Sequence, residues 1–100
     1  MNALRIERVD AGRVRVAGRL GFREAATAAD RWRELAADGS TEIVADVGAL
    51  EAVDSATLAV LLEWAARMQA TGRSLRVIAA PAGLAALARL CGADGLLGLS

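Results

Sequence analysis

Three features of the 100-residue sequence predict an α/β domain built on a mixed β-sheet. Two early runs alternate apolar and polar residues with period two. Two later apolar runs, of which 42–47 is rich in β-branched residues, are each followed by a stretch of helical periodicity. Strands joined through helices run parallel, whereas strands joined by a tight turn run antiparallel, so both kinds of pairing are expected in one sheet.

The first run is Ala3 to Arg8 and the second is Arg13 to Arg19, with Asp10-Ala11-Gly12 between them. This is the pattern of an antiparallel hairpin with Leu4, Ile6, Val14 and Val16 on its buried face. Gly18 to Phe22 form an irregular connection containing two glycines. Arg23 to Asp38 contain neither Gly nor Pro, and Ala25, Ala28, Ala29, Trp32, Leu35 and Ala36 recur at helical intervals. A single amphipathic helix is expected there, stopped by Gly39.

Residues 42–47 are short and mostly apolar, as suits a central strand covered on both faces. Gly48 to Asp54 read as a loop. Ser55 to Thr71 give the strongest helical signal, with Leu58, Leu61, Leu62, Ala65 and Met68 on the core stripe and Trp64 beside it, packing mainly into the core. Asp54 or Ser55 supplies the N-cap and Gly72 ends the helix. A strand over 74–80 follows, then Pro81 and a helix over 82–91 carried by Leu84, Leu87, Ala88 and a buried Cys91. The tail from Asp94 to Ser100 is placed as a short edge strand, which puts the sheet at four to five strands and the helices at three.

Composition narrows the function. Twelve Arg balance twelve Asp and Glu, and the chain has no Lys and no His. A His base, a His metal ligand and a Ser-His-Asp triad are therefore excluded. One Cys forms neither an intrachain disulfide nor a thiolate cluster. Zero net charge and three aromatic residues argue against nucleic acid as partner. The N-terminus lacks an apolar signal region and no run is long enough to span a membrane, so a cytoplasmic domain is expected. Little chemical equipment remains, and binding is a better expectation than catalysis.

The segment between the central strand and its helix, Val53-Asp54-Ser55-Ala56-Thr57-Leu58, holds the candidate site. Sites in open α/β sheets lie beyond the carboxyl ends of the strands, where loops enter helix N-termini. First-turn N–H groups there lack helical partners and the dipole favours negative charge. By residue type alone Asp54-Ser55 reads as ordinary capping, and Ser55 also as a phosphorylatable hydroxyl. Asp46, Glu51 and Asp54 offer oxygen ligands for a divalent cation, but their spacing matches no EF-hand pattern and an acidic group at a solvated surface is the commoner reading. Trp32, between Arg31 and Arg33, either closes the core edge or protrudes as an anchor for a partner.

These residues resemble a known family. Gly18-Arg19-Leu20, Val44-Ala45-Asp46-Val47, the segment from Val53 to Leu62, Gly72 to Val77 and Leu87 to Gly92 together look like a STAS domain covering nearly the whole chain. The resemblance implies a STAS-like (SpoIIAA-like) mixed sheet, with residues 1–100 as one domain standing alone, without the final long helix of many anti-sigma factor antagonists. It is closest to the MlaB-type branch, whose members carry a Trp on the first helix and a Ser or Thr at the helix start. Trp32 precedes Ser55 by 23 positions and matches that pair.

What the resemblance implies is a non-enzymatic subunit, without cofactor, of a phospholipid ABC transporter that maintains outer-membrane lipid asymmetry. Its partner is the cytoplasmic MlaF-type ATPase, itself bound to an inner-membrane permease, so the domain is peripheral to that membrane. Trp32, Asp54, Ser55, Ala56, Thr57 and Leu58 become the partner-binding residues, with Trp32 exposed. The alternative is an anti-sigma factor antagonist whose binding to a Ser kinase is switched by phosphorylation of Ser55. Antagonists commonly read Asp-Ser-Ser-Gly-Leu here, whereas this chain has Ala56 and Thr57 in place of Ser and Gly. A third expectation, a small lipid or nucleotide ligand, rests only on the helix N-terminus near Ser55.

Overall fold

The computed structural model describes residues 3–99. Four strands, β1 (Arg5–Asp10), β2 (Arg13–Arg19), β3 (Glu42–Glu51) and β4 (Ser74–Ile78), form one sheet in the order β1-β2-β3-β4. The first pair is antiparallel and the other two are parallel, as the connections require. Four helices accompany them: α1 (Ala25–Ala29), α2 (Trp32–Leu35), α3 (Ser55–Ala70) and α4 (Ala82–Leu90). The mixed sheet with its N-terminal hairpin is as expected. The helix count exceeds expectation by one because residues 23–38 are broken in two.

That break has a tertiary cause. A continuous helix would give the Ala28 carbonyl to the N–H of Trp32. Instead the indole Nε1 of Trp64 donates to it at 2.8 Å, and the Arg31 N–H reaches it at 3.0 Å in a tighter turn. Arg31 then turns its guanidinium to the Leu4 carbonyl (3.0 Å) and to both carboxylate oxygens of Glu34 (2.7 and 2.9 Å). Glu34 is the main cause of the raised Arg31 pKa, as Arg31 is of the lowered Glu34 pKa. Arg8 on β1 holds the other end of α2 by donating to the carbonyls of Glu34 (3.1 Å) and Leu35 (2.9 Å). Tertiary contacts thus override a good local helix signal.

The central strand is longer than its sequence signal. Arg15 faces Asp46 and Ala17 faces Ala49, so β3 carries one extra residue in that interval, a bulge around Val47 and Gly48. The bulge resets the alternation: Ile43, Ala45 and Val47 point into the core, and so does Leu50. Gly48 therefore marks a bulge within the strand rather than the start of a loop. Nor is β3 covered on both faces. The alternate residues Val44 and Asp46 are half-buried, because helices and sheet share one core on a single face.

That core joins Val14, Val16, Ile43, Val47 and Val77 of the sheet to Leu58, Leu61, Trp64 and Met68 of α3 and to Leu84 and Ala88 of α4. Trp64 is fully buried, as expected. Cys91 is not: it is the exposed residue that ends α4, one position past the last inward turn. No strand forms between Asp94 and Leu99, and Ser100 lies outside the described residues. The tail instead makes turns, buries Leu97 and gives its carbonyl to the N–H of Val77 at 2.8 Å.

The hairpin turn is pinned from outside. Asp38 accepts the Gly12 N–H at 2.9 Å and the Ser40 N–H at 3.0 Å, and Arg8 lies 3.3 Å away. Those backbone donors hold the Asp38 carboxyl down at about 2.

Candidate functional site

The chain leaves β3 at Glu51 and passes Ala52, whose φ of +52° lies in the left-handed region that side chains disfavour. It then enters α3 through Asp54, held extended at φ −148°. One Asp54 oxygen, Oδ1, accepts the N–H groups of Ala56 (2.8 Å) and Thr57 (3.1 Å). The Thr57 hydroxyl returns the favour by accepting the Asp54 N–H at 3.0 Å. This is a capping box built from Asp and Thr.

The box explains why Thr stands where antagonists carry Gly. Thr57 is fully buried and its hydroxyl is committed to the cap. Leu58 is buried in the core. Neither offers surface, so the exposed part of the predicted site is Asp54 and Ser55, with Ala56 half-buried. The Ser55 hydroxyl has no hydrogen bond among the described residues. Asp54 already takes the N–H groups of Ala56 and Thr57, two of the donors on which a lipid headgroup or nucleotide at this helix N-terminus would depend. Replacing Asp54 with Ala should lower stability by about 1–2 kcal/mol, read as a shift of the urea midpoint at constant m-value.

The acidic group does not converge either. Asp46 turns Oδ1 onto the Gly48 N–H at 2.9 Å, while Asp54 serves the cap. Among the described residues no cluster of three metal-ligating side chains forms.

Trp32 opens α2 and is half-buried, not fully exposed. Part of its ring packs on the core edge, and the Arg33 guanidinium lies 5.0 Å from its centroid. Its placement follows from the clamp on Arg31. Leu4 sits just before β1, and β1 runs antiparallel to β2. The Leu4 carbonyl therefore lies at the sheet end where β2 and β3 finish and α3 begins. The first turn of α2 and the Asp54-Ser55 cap are thus brought to one end of the sheet.

Between β2 and α1 lies a residue the sequence reading passed over. Phe22 is 84% exposed. It lies beside a cleft of about 190 Å³ whose walls include Arg19, Arg23, Glu24, Ala52 and Asp54. Gly21 makes that junction tight: a Cβ there would lie 3.2 Å from Oδ2 of Asp54. The available signal was a large aromatic in a Gly-containing connection, where core demands are weak.

A family model matches the sequence over nearly its whole length. That model, described as "Mlab, STAS domain", aligns with residues 4–98. The chain belongs to the STAS domain family. Within that family it resembles MlaB. STAS domains are generally interaction modules without catalysis. The NMR structure of the protein TM1081 shares the fold, with a TM-score of 0.74 over 95% of this chain and 78% of that one, at 16% identity. No curated protein matches the sequence. Among the described residues no helix is long and apolar enough to cross a membrane.

Proposed function

We propose that this STAS domain is a non-enzymatic docking subunit that binds the cytoplasmic MlaF-type ATPase of a phospholipid ABC transporter. It supports assembly and activity of that transporter and reaches the inner membrane only through its partner. The observation that carries this reading is the pairing of Trp32 and Ser55 at one end of the sheet. A half-exposed Trp, held by the Arg31 clamp, and the Ser55 hydroxyl, which has no hydrogen bond among the described residues, lie at the same end of the sheet and support a contact surface. Such surfaces bind with little ordering cost, and buried aromatics dominate their affinity.

The test is binding of the purified ATPase subunit by biolayer interferometry. Trp32→Ala is expected to weaken it by at least about 2 kcal/mol, close to 30-fold, while the domain stays folded. Equal affinity of variant and parent overturns the reading.

A second reading, the phosphorylation-switched antagonist, is favoured by one observation: Ser55 is exposed and its hydroxyl has no hydrogen bond among the described residues. Ala56 and Thr57 weigh against it, since they stand where such antagonists commonly carry Ser and Gly. Incubation with ATP and the cognate kinase distinguishes the two, because only the antagonist gains the mass of a phosphate.

A further inference from the structure

Trp32 lies four positions after Ala28 and three before Leu35, and both of those residues are fully buried. In one continuous helix the three would share a face, and the Trp32 indole would point into the core between its neighbours. Instead Ala28 and Leu35 stay buried while Trp32 is half-exposed. The rotation falls at Asp30 and Arg31, whose ψ angles are −8° and +7°. An α-helix has about −42° there.

The Ala28 carbonyl decides between the two arrangements. Its oxygen has two lone pairs. The Arg31 N–H takes one at 3.0 Å and the buried Trp64 indole N–H takes the other at 2.8 Å. An Arg31 bond of this kind often shares its carbonyl with the next N–H of a helix, so it does not by itself exclude Trp32. The indole does, because it fills the place the Trp32 N–H would occupy. We infer that Trp64 is a positioning residue for the docking surface: its N–H keeps α1 and α2 apart and so holds Trp32 out of the core stripe, where a partner can reach it. The inference rests on the docking reading above and names the residue on which exposure of its anchor depends.

Trp64→Phe frees one lone pair of the Ala28 carbonyl and vacates the space of the second indole ring. The Trp32 N–H then restores the helical bond, and the Trp32 ring turns toward Ala28 and Leu35. The Arg31 clamp on the Leu4 carbonyl opposes this turn, so the two arrangements share the population.

The experiment labels the domain with fluorotryptophan and follows Trp32 by fluorine NMR. The chain has two Trp, so Trp32→Phe assigns the parent spectrum and Trp64→Phe leaves Trp32 as its sole signal. The change in that signal between light and heavy water reads exposure. It should shrink in Trp64→Phe, and binding of the purified ATPase should weaken at least about fivefold. In a Trp32→Ala background Trp64→Phe should cost no further affinity. A merely structural role would lower the melting temperature and move neither the solvent shift nor the coupling. An unchanged solvent shift overturns the inference. So do equal affinity losses in the two backgrounds, because Trp64 would then act other than through Trp32. A reduced shift with parent-like affinity overturns the link to docking, while the docking reading stands if Trp32→Ala still weakens binding. Failure of the parent to bind overturns the docking reading, and the solvent shift alone then decides whether Trp64 sets the exposure of Trp32.

Discussion

Trp64→Ala is expected to destabilise the domain by about 3–5 kcal/mol, measured as the shift in its urea transition. Domains of this size hold only about 5–15 kcal/mol in total. Two losses combine. The indole is fully buried between α3 and α1, so truncation opens a cavity in the middle of the core. It also removes the donor to the Ala28 carbonyl, the bond that ties the broken helical segment to α3. Trp64→Phe separates these contributions. It keeps most of the volume and gives up the N–H, so it should lose about 1–3 kcal/mol, the penalty of leaving a buried acceptor unpaired. A loss as large as that of Trp64→Ala would show that the hydrogen bond, and not the packing, organises this region.

Gly12→Ala is the second large effect, at about 2–5 kcal/mol. Gly12 has a φ of +69°, which disfavours an L-residue by about 1–2 kcal/mol. A Cβ there would also sit 2.8 Å from the Glu42 carbonyl oxygen, a backbone atom that cannot move without breaking the sheet. Overpacking of that kind adds about 1–3 kcal/mol. The same residue gives its N–H to Asp38 and its carbonyl to the N–H of Val44 at 2.8 Å, so displacement disturbs the turn and the β2–β3 junction together. Gly39→Ala is the matched control. Its φ is +81° but a Cβ would meet nothing within 4 Å, so only the backbone term applies. The difference between the two melts isolates the steric clash.

The sequence was most legible where local and tertiary demands agree. The β1–β2 hairpin follows from alternation and α3 from its leucine stripe, because each buried face repeats with the period of its own element. The broken α1–α2 segment was illegible because the Trp64 indole lies 36 positions away from the carbonyl it captures. Gly48 misled because a bulge and a loop use glycine alike. Cys91 was misplaced by one helical step at a helix end, where periodicity no longer controls burial. At the site, Asp54 as the cap was among the readings of the sequence. The inward turn of Thr57 and Leu58 was not, since a hydroxyl at that position serves a cap or a partner equally well. Phe22 went unremarked because loops carry no periodicity to violate.

The spatial order of the strands is also their order along the chain. No strand must insert between two others, so during synthesis each new strand can join the edge left by the one before it. The hairpin forms first from neighbouring residues, and the parallel pairings wait for a helix to be made, which places the slow, long-range steps last. Until Ser74–Ile78 emerge, the β3 edge from Glu42 to Asp46 stays unpaired, with Ile43, Val44 and Ala45 along it. A chain stopped before that point would present an open apolar edge, the template on which strands of other chains assemble.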